Sequence, residues 1–437
     1  MMIMVCAGLG LFLVSSAGWT ATYDVGGGNN DYPTMSALTG AVTLTAGDVV
    51  NIYPGRYTDA WQLNTANASA SNPITIRGVD SAGAPVTYAN GPVIFDYSGL
   101  TQVPNGTGKA AILLLSGSWI VLQGFTVSNI PFLNTDYPAM KIKADYVTLR
   151  HLYFLNNYFS VGAWPESAKL TIEHSEFEGG HGALGGYNMH AVYSFGDHLI
   201  VRHSSFRNFD SPAGDVIKSR DFIAEILYNF IEMGTAQRGV DIDTLERSPG
   251  SISPDATIIG NTLIKKTPDQ SAYTANFINY DRQGRATIIN NTMVDLINQV
   301  QGAISLRDAT SNEVSNNAMV TQRVRFVDGG LPSNVVFSGR NNWISQGAVV
   351  DGGVQLVGTV TGTNPGFLAD GTYRPALGSP LIDAGYPLVS IKPDFQFPAL
   401  VRTITGAGID IGAYEYGFGS SDTTPPLPPS NVDAFIN

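Results

Sequence analysis

Apolar residues recur along this chain on two nested periods. Within a segment, an apolar residue is followed by a short polar break and a second apolar residue five positions on. LQGFTV from Leu122, LRHLYF from Leu149, IEHSEF from Ile172, VRHSSF from Val201, ILYNFI from Ile226, IIGNTL from Ile258, IINNTM from Ile288 and VSNNAM from Val314 share the pattern. Between segments the steps are 27, 23, 29, 25, 32, 30 and 26 residues. A period of this length marks a solenoid or a propeller. No blade signature is present. Each repeat holds two or three short β runs, and several carry an Asn-rich turn, at Asn261, Asn291 and Asn316. The predicted fold is all-β: a right-handed parallel β-helix solenoid with coils about 4.8 Å apart. Asn side chains at one turn would hydrogen-bond along a column.

The flanks suit that fold. Residues 33–41, PTMSALTGA, read as a short amphipathic helix that caps the first coil. Residues 46–59, AGDVVNIYPGRYTD, read as strand, Pro-Gly turn and strand. They resemble the opening coil of secreted β-helix proteins of the pectin-lyase-like superfamily. The solenoid is expected over 22–360 and a C-terminal capping module over 361–418, which holds NPGFLADGTYRPALGSPLIDAGYP and DIGAYEY. An open end would expose a β edge, and capping is the plain role for that module. Residues 419–437 are a Pro-rich linker or tail. Residues 1–21 read as a secretory signal, with a transmembrane anchor as the alternative; the apolar run is shorter than the roughly 20 residues a span needs. Secretion or a bacterial-type cell-surface location is expected.

Composition narrows the rest. The chain has 437 residues, 48 of them glycine, and a formal net charge of −12. That acidity argues against nucleic acid as a partner. The one cysteine, Cys6, lies in the signal segment, so stability must come from core and ladders. A monomer without a membrane span in its mature form is expected.

Against this acidic background, GDVIKSRDF sets Lys218 and Arg220 two residues apart. Counting back eight residues from the anchors at Leu149, Val201, Ile226 and Ile288 gives Lys141, Tyr193, Lys218 and Tyr280. Counting back six gives Lys143, Phe195, Arg220 and Arg282. Strand side chains alternate, and the neighbours Met140, Ile142, Val192 and Ile217 are apolar. The two columns therefore face out as a cationic and aromatic stripe. Such a stripe suits an acidic polysaccharide: cations pair with its carboxylates and rings stack on sugars. A merely solvated face is the alternative.

All six histidines fall between His151 and His203. His151, His174 and His203 share one repeat position, which favours a stacked turn ladder over a metal site. His181 and His190 fall outside it, in the Gly-rich insertion of residues 178–193. Beyond Lys218, RGVDIDTLERSPGS carries Arg238, Asp241 and Asp243. With Asp215 these acids are candidate ligands for calcium, the candidate cofactor, with plain solvation as the alternative.

Lys218-Ser219, followed twenty residues on by Arg238, resembles the polysaccharide lyase family of chondroitinase B and alginate lyases. There a Lys in a Lys-Ser pair is the base and an Arg on the next coil assists. The resemblance covers about Ala139 to Val320. That family's Glu-x-Glu calcium motif is replaced by Ser211 and Ala213, and its Arg-His-Gly by Arg238-Gly239. Asn134-Thr135-Asp136, Gly180-His181-Gly182 and Val216-Ile217-Lys218 resemble polygalacturonase motifs, but Asn156-Asn157 stand where that family has Asp-Asp.

The function expected is β-elimination on a uronate-containing glycan. Lys218 would be the base, its pKa lowered by Arg220, which also pairs with the substrate carboxylate. Tyr193 or His190 would donate the proton to the leaving oxygen, with Arg238 as alternative acid or clamp. Lys141, Lys143, Tyr280, Arg282 and His181 would bind substrate. A polygalacturonase-like hydrolase and a non-catalytic glycan-binding or adhesin protein are the alternatives.

Overall fold

A computed structural model describes the chain except residues 1–19, 27, 29, 102–109, 132–136, 182–189, 212–213, 246–253, 269–274, 327–335, 352–353, 355, 388–403, 405 and 418–437. The segment expected to be a secretory signal, the Pro-rich residues 419–437, Asn134-Thr135-Asp136 and Gly182 therefore lie outside the described residues.

The architecture is a parallel β-solenoid. Strands succeed one another in threes, and each pairs in parallel with its counterpart one coil away. Asp215–Ser219, Ile223–Leu227 and Phe230–Glu232 form one coil. They pair with Arg238–Ile242, Asp255–Ile259 and Thr262–Lys265 of the next. Three sheet faces result. The first, which carries the site, includes Met140–Ile142, Val161–Ala163, His190–Ser194, Asp215–Ser219, Arg238–Ile242, Ala275–Tyr280 and Val300–Leu306. Among the described residues the third face is a sheet of 12 strands.

The anchor residues explain the pairing. Val201, Ile226, Ile258, Ile288 and Val314 pair in register and are fully buried. Phe154, Phe177 and Phe206 do the same on the third face, with rings stacked 4.7 and 4.6 Å apart. Each such side chain contributes roughly 1.5–3 kcal/mol by leaving water, and a one-residue slip would turn a whole strand's set outward.

The turn between second and third faces repeats two columns. The inner one is an amide ladder: Asn229 donates Nδ2 to Asn261 Oδ1, Asn261 to Asn291, Asn291 to Asn317 and Asn317 to Asn342, each at 3.0–3.1 Å. The ladder runs through Asn317, not the Asn316 expected from sequence. Asn316 belongs to the neighbouring column of positive φ, which contains His151, His174, His203, Tyr228, Gly260, Asn290, Asn316 and Asn341. Its four rings stack at 5.4, 5.2 and 5.5 Å, so the three histidines form a ladder. Gly260 follows because any Cβ there would strike the Tyr228 ring.

Helix Met35–Ala41 is present, with Met35 and Leu38 in the core and Thr34 accepting the Ala37 N–H. The described residues beyond 363 lie along the flank of the later coils. Asn290 donates to Asp410 O, Asn316 to Tyr386 O and Asn341 to Ala384 O. Leu381 and Ile411 pack on Ala318 and Trp343.

Candidate active site

The first face owes its chemistry to a break in side-chain alternation. Val216 and Ile217 are consecutive, and both enter the core. Asp215 and Lys218, three residues apart, are therefore both left on the outer side. The same break puts His190 with Tyr193 and Arg238 with Asp241. Pairing then sets His190, Asp215, Arg238 and Asn276 in one outward column. Lys141, Gly162, Tyr193, Lys218, Asp241, Asn279 and Ser305 form a second.

Acids and cations interlock where these columns meet. Lys218 Nζ lies 2.8 Å from Asp243 Oδ2, 3.1 Å from Asp241 Oδ2 and 3.7 Å from Asp215 Oδ2. Arg238 Nη1 lies 2.9 Å from Asp241 Oδ2 and 3.7 Å from Asp215 Oδ1. Arg220 donates Nη2 and Nε to Asp243 Oδ2 at 2.9 and 3.2 Å. Asn279 donates Nδ2 to Asp241 Oδ1 at 2.7 Å. The expected cationic stripe is thus interrupted by carboxylates and is a mixed cluster.

This arrangement sorts protonation states. Burial alone would push Lys218 down, but Asp241, Asp215 and Asp243 outweigh it and hold the ammonium above its ordinary range. The expectation that Arg220 lowers Lys218 is overturned, because Asp243 stands between the two cations. Burial, with Lys218 adding to it, pushes His190 down to about 3, so its imidazole is neutral. Its Nδ1 faces the Asp215 backbone, 3.2 Å from the N–H, which donates to it, and 3.1 Å from the carbonyl oxygen. Burial and the charge of Asp241 push Asp215 well above the carboxylate range. Burial would raise Asp241 too, but Arg238, Lys218 and the Asn279 amide keep it ionised.

Tyr193 joins the cluster from the preceding coil, on the same strand as His190, its ring 5.2 Å from His190 and 5.9 Å from the Arg220 guanidinium. Lys141 is three coils up the same column, since Gly162 intervenes between it and Tyr193; its ammonium sits 3.9 Å from the Trp164 ring centre. Lys143 pairs with Glu166 at 2.9 Å. Tyr280 and Arg282 lie elsewhere. Tyr280 pairs with Ile242 and Leu306 and is fully buried. Arg282 is buried and donates to the carbonyls of Asp221, Phe222 and Asp255. His181 ends a strand of the third sheet. Asn157 binds the backbone of Val127 and Ile130. Asn279 was missed from sequence, and so was Trp164.

Calcium does not fit the three acids. Asp215, Asp241 and Asp243 converge on the Lys218 ammonium and two guanidinium groups, where a calcium site needs carboxylate and carbonyl oxygens turned to a common centre. Among the described residues no group of His, Cys, Asp or Glu is placed to hold a metal ion.

No family model and no curated protein matches the chain in sequence. Solved structures do resemble it. A rhamnogalacturonan lyase shares 15% identity at a TM-score of 0.53, over 74% of this chain and 87% of that one. A pectate lyase shares 14% at a TM-score of 0.47, over 91% and 96%. A PL6-family polysaccharide lyase from Pseudopedobacter saltans shares 12% at 0.44, over 73% and 88%. Together with the strand pairing described above, the first of these makes the chain a parallel β-helix of the pectin-lyase-like fold.

Proposed function

We propose that the chain is a polysaccharide-cleaving enzyme that acts on a uronate-containing glycan by β-elimination on the outer face of the first sheet. One observation carries the reading. A neutral imidazole, His190, and a phenol, Tyr193, stand beside two outward cations, Lys218 and Arg220. The likeness to a lyase fold supports it by analogy alone.

β-Elimination needs the uronate carboxylate neutralised, the C5 proton removed and the leaving oxygen protonated. Lys218 and Arg220 take the carboxylate. Lys218 is a poor base while the ionised Asp241 and Asp243 hold its proton, so the base is His190. His190 is neutral and so has a ring lone pair free to accept a proton. His190 takes the C5 proton, the bond from C4 to the glycosidic oxygen breaks, and a C4–C5 double bond forms. Tyr193 gives its hydroxyl proton to the departing oxygen. Arg238 holds Asp241 and, with it, Lys218. The apolar start of the chain supports export, and a monomer suffices for this chemistry. Among the described residues no helix is long and apolar enough to cross a membrane.

A second reading, hydrolysis, is favoured by Asp215 and Asp241. Their environments drive one towards the neutral acid and keep the other ionised, the division that glycoside hydrolysis uses. The test is a panel of acidic polysaccharides followed by both unsaturated-product absorbance and reducing ends. Both rising together supports elimination. Reducing ends alone supports hydrolysis and overturns the first reading.

A further inference from the structure

We infer that Asp243 is an internal stand-in for the substrate carboxylate, and that the need to displace it makes the site selective for uronate units over neutral sugars. The inference rests on the proposed acidic-glycan reading and names how that site chooses its ligand.

The argument begins with how the Asp243 carboxylate is used. Its Oδ2 alone receives Lys218 Nζ at 2.8 Å and Arg220 Nη2 and Nε at 2.9 and 3.2 Å. Its Oδ1 is turned away and accepts the Thr244 N–H at 2.7 Å. One oxygen thus serves two cations. A free carboxylate would offer an oxygen to each, the bidentate pairing that guanidinium geometry favours.

Exposure separates Asp243 from the other two acids. Its side chain is 18% exposed and that of Arg220 23%, whereas Asp241 is 0% and Asp215 4% exposed. Asp243 is therefore the acid of the cluster that an incoming polymer meets, together with Arg220 and Arg238, the latter 20% exposed. Asp241 remains behind Lys218 and keeps it charged when Asp243 is displaced.

Selectivity follows from charge balance. A neutral sugar that pushed Asp243 aside would leave two partly buried cations short of their nearest anion, at a cost that contact with hydroxyls does not recover. A uronate replaces the lost anion and meets no such cost. The same contact lowers affinity for the correct ligand, because Asp243 occupies its place in the free protein.

The test is Asp243→Asn, which removes the charge while keeping an acceptor for Thr244. Asp243→Ala serves as a second replacement, and Asp243→Glu returns a carboxylate to the site. Each is first checked for cooperative unfolding. Binding of galacturonate and glucuronate, with galactose and glucose as neutral counterparts, is followed by NMR titration. Asp243→Asn and Asp243→Ala should bind the uronates about tenfold more tightly than the unsubstituted protein, with no gain for the neutral sugars. Asp243→Glu should stay weak. Uronate binding that is unchanged or weaker in Asp243→Asn and Asp243→Ala overturns the inference, as does an equal gain for galactose and glucose. Failure of the parent reading shows separately, as absence of turnover of every acidic polysaccharide by the unsubstituted protein.

Discussion

Asn279 holds Asp241 from the next coil, donating Nδ2 to Asp241 Oδ1 at 2.7 Å. Asp241 is fully buried, so that oxygen has no water to fall back on. Asn279→Ala should cost about 1–3 kcal/mol of stability by leaving a buried acceptor unsatisfied. It should also lower turnover by loosening the carboxylate that fixes Lys218 and Arg238. Chemical denaturation and initial rates on the responding polysaccharide check both; unchanged stability would mean that Asp241 finds another donor.

Lys218→Ala should injure fold and activity together. It strips Asp241 and Asp243 of one shared ammonium, and breaking a buried ion pair costs roughly 3–5 kcal/mol. The pH dependence has a definite sign. Lys218 is raised in the folded protein, so its contribution is complete below its ordinary pKa and is lost only as alkaline pH approaches the raised value. The deficit of the variant should be full at pH 7 and should narrow in acid, where protonation relieves the stranded carboxylates. Denaturation midpoints at several pH values would show this, and a deficit that widens in acid would contradict it.

His203 should make the protein acid-sensitive. Burial pushes its imidazole down to about 3, with His174 and Arg202 adding to the effect. Below pH 6.5 the unfolded chain takes a proton there that the folded protein refuses, so stability falls as pH drops from about 6.5 towards 3. His203→Asn keeps a side chain that tolerates positive φ and removes the titration. Its loss of stability on acidification should be shallower than that of the unsubstituted protein, by up to about 1.4 kcal/mol per pH unit. Parallel curves would exclude His203 as a source.

Asn291→Ala should be among the most damaging single changes outside the site. Its amide donates to Ile258 O, Ile289 O and Asn317 Oδ1 and accepts from the side-chain amide and backbone N–H of Asn261. Removing it strands several fully buried groups, for a loss of about 3 kcal/mol or more. Thermal unfolding measures it, and a shift within the range of surface substitutions would deny the ladder its structural role.

Much of this was legible in the sequence, for a physical reason. Anchors such as Ile226 and Ile258 stack one coil apart, so every coil must restate the same apolar pattern, and restatement is visible as a repeat. The site was legible only in part, because loops between strands need not keep step. Nine residues separate Asn279 from Ile288, where eight separate Lys218 from Ile226. That extra residue brought Tyr280 into the expected column in place of Asn279. Asp215 was placed among the acids, but strict alternation gave no reason to set it beside Lys218. The break in alternation at Val216 and Ile217 does so, and a two-residue period does not reveal it. Histidine spacing sufficed for the ladder, since His151, His174 and His203 occur at one position of the repeat.

The change along the positive-φ column, from rings through Gly260 to Asn290, Asn316 and Asn341, divides the solenoid into a part that can grow and a part that cannot. A coil duplicated between His151 and His203 would add one more ring to the pile ahead of Arg207, Glu232 and Thr262, the earliest groups that Tyr373 and Tyr414 of the docked segment reach. A coil duplicated between Asn290 and Asn341 would move the three amides out of step with Asp410, Tyr386 and Ala384, which that segment presents at set intervals. The asparagines act as a ruler for the later coils, and length variation in chains built this way should be confined to the coils before His203.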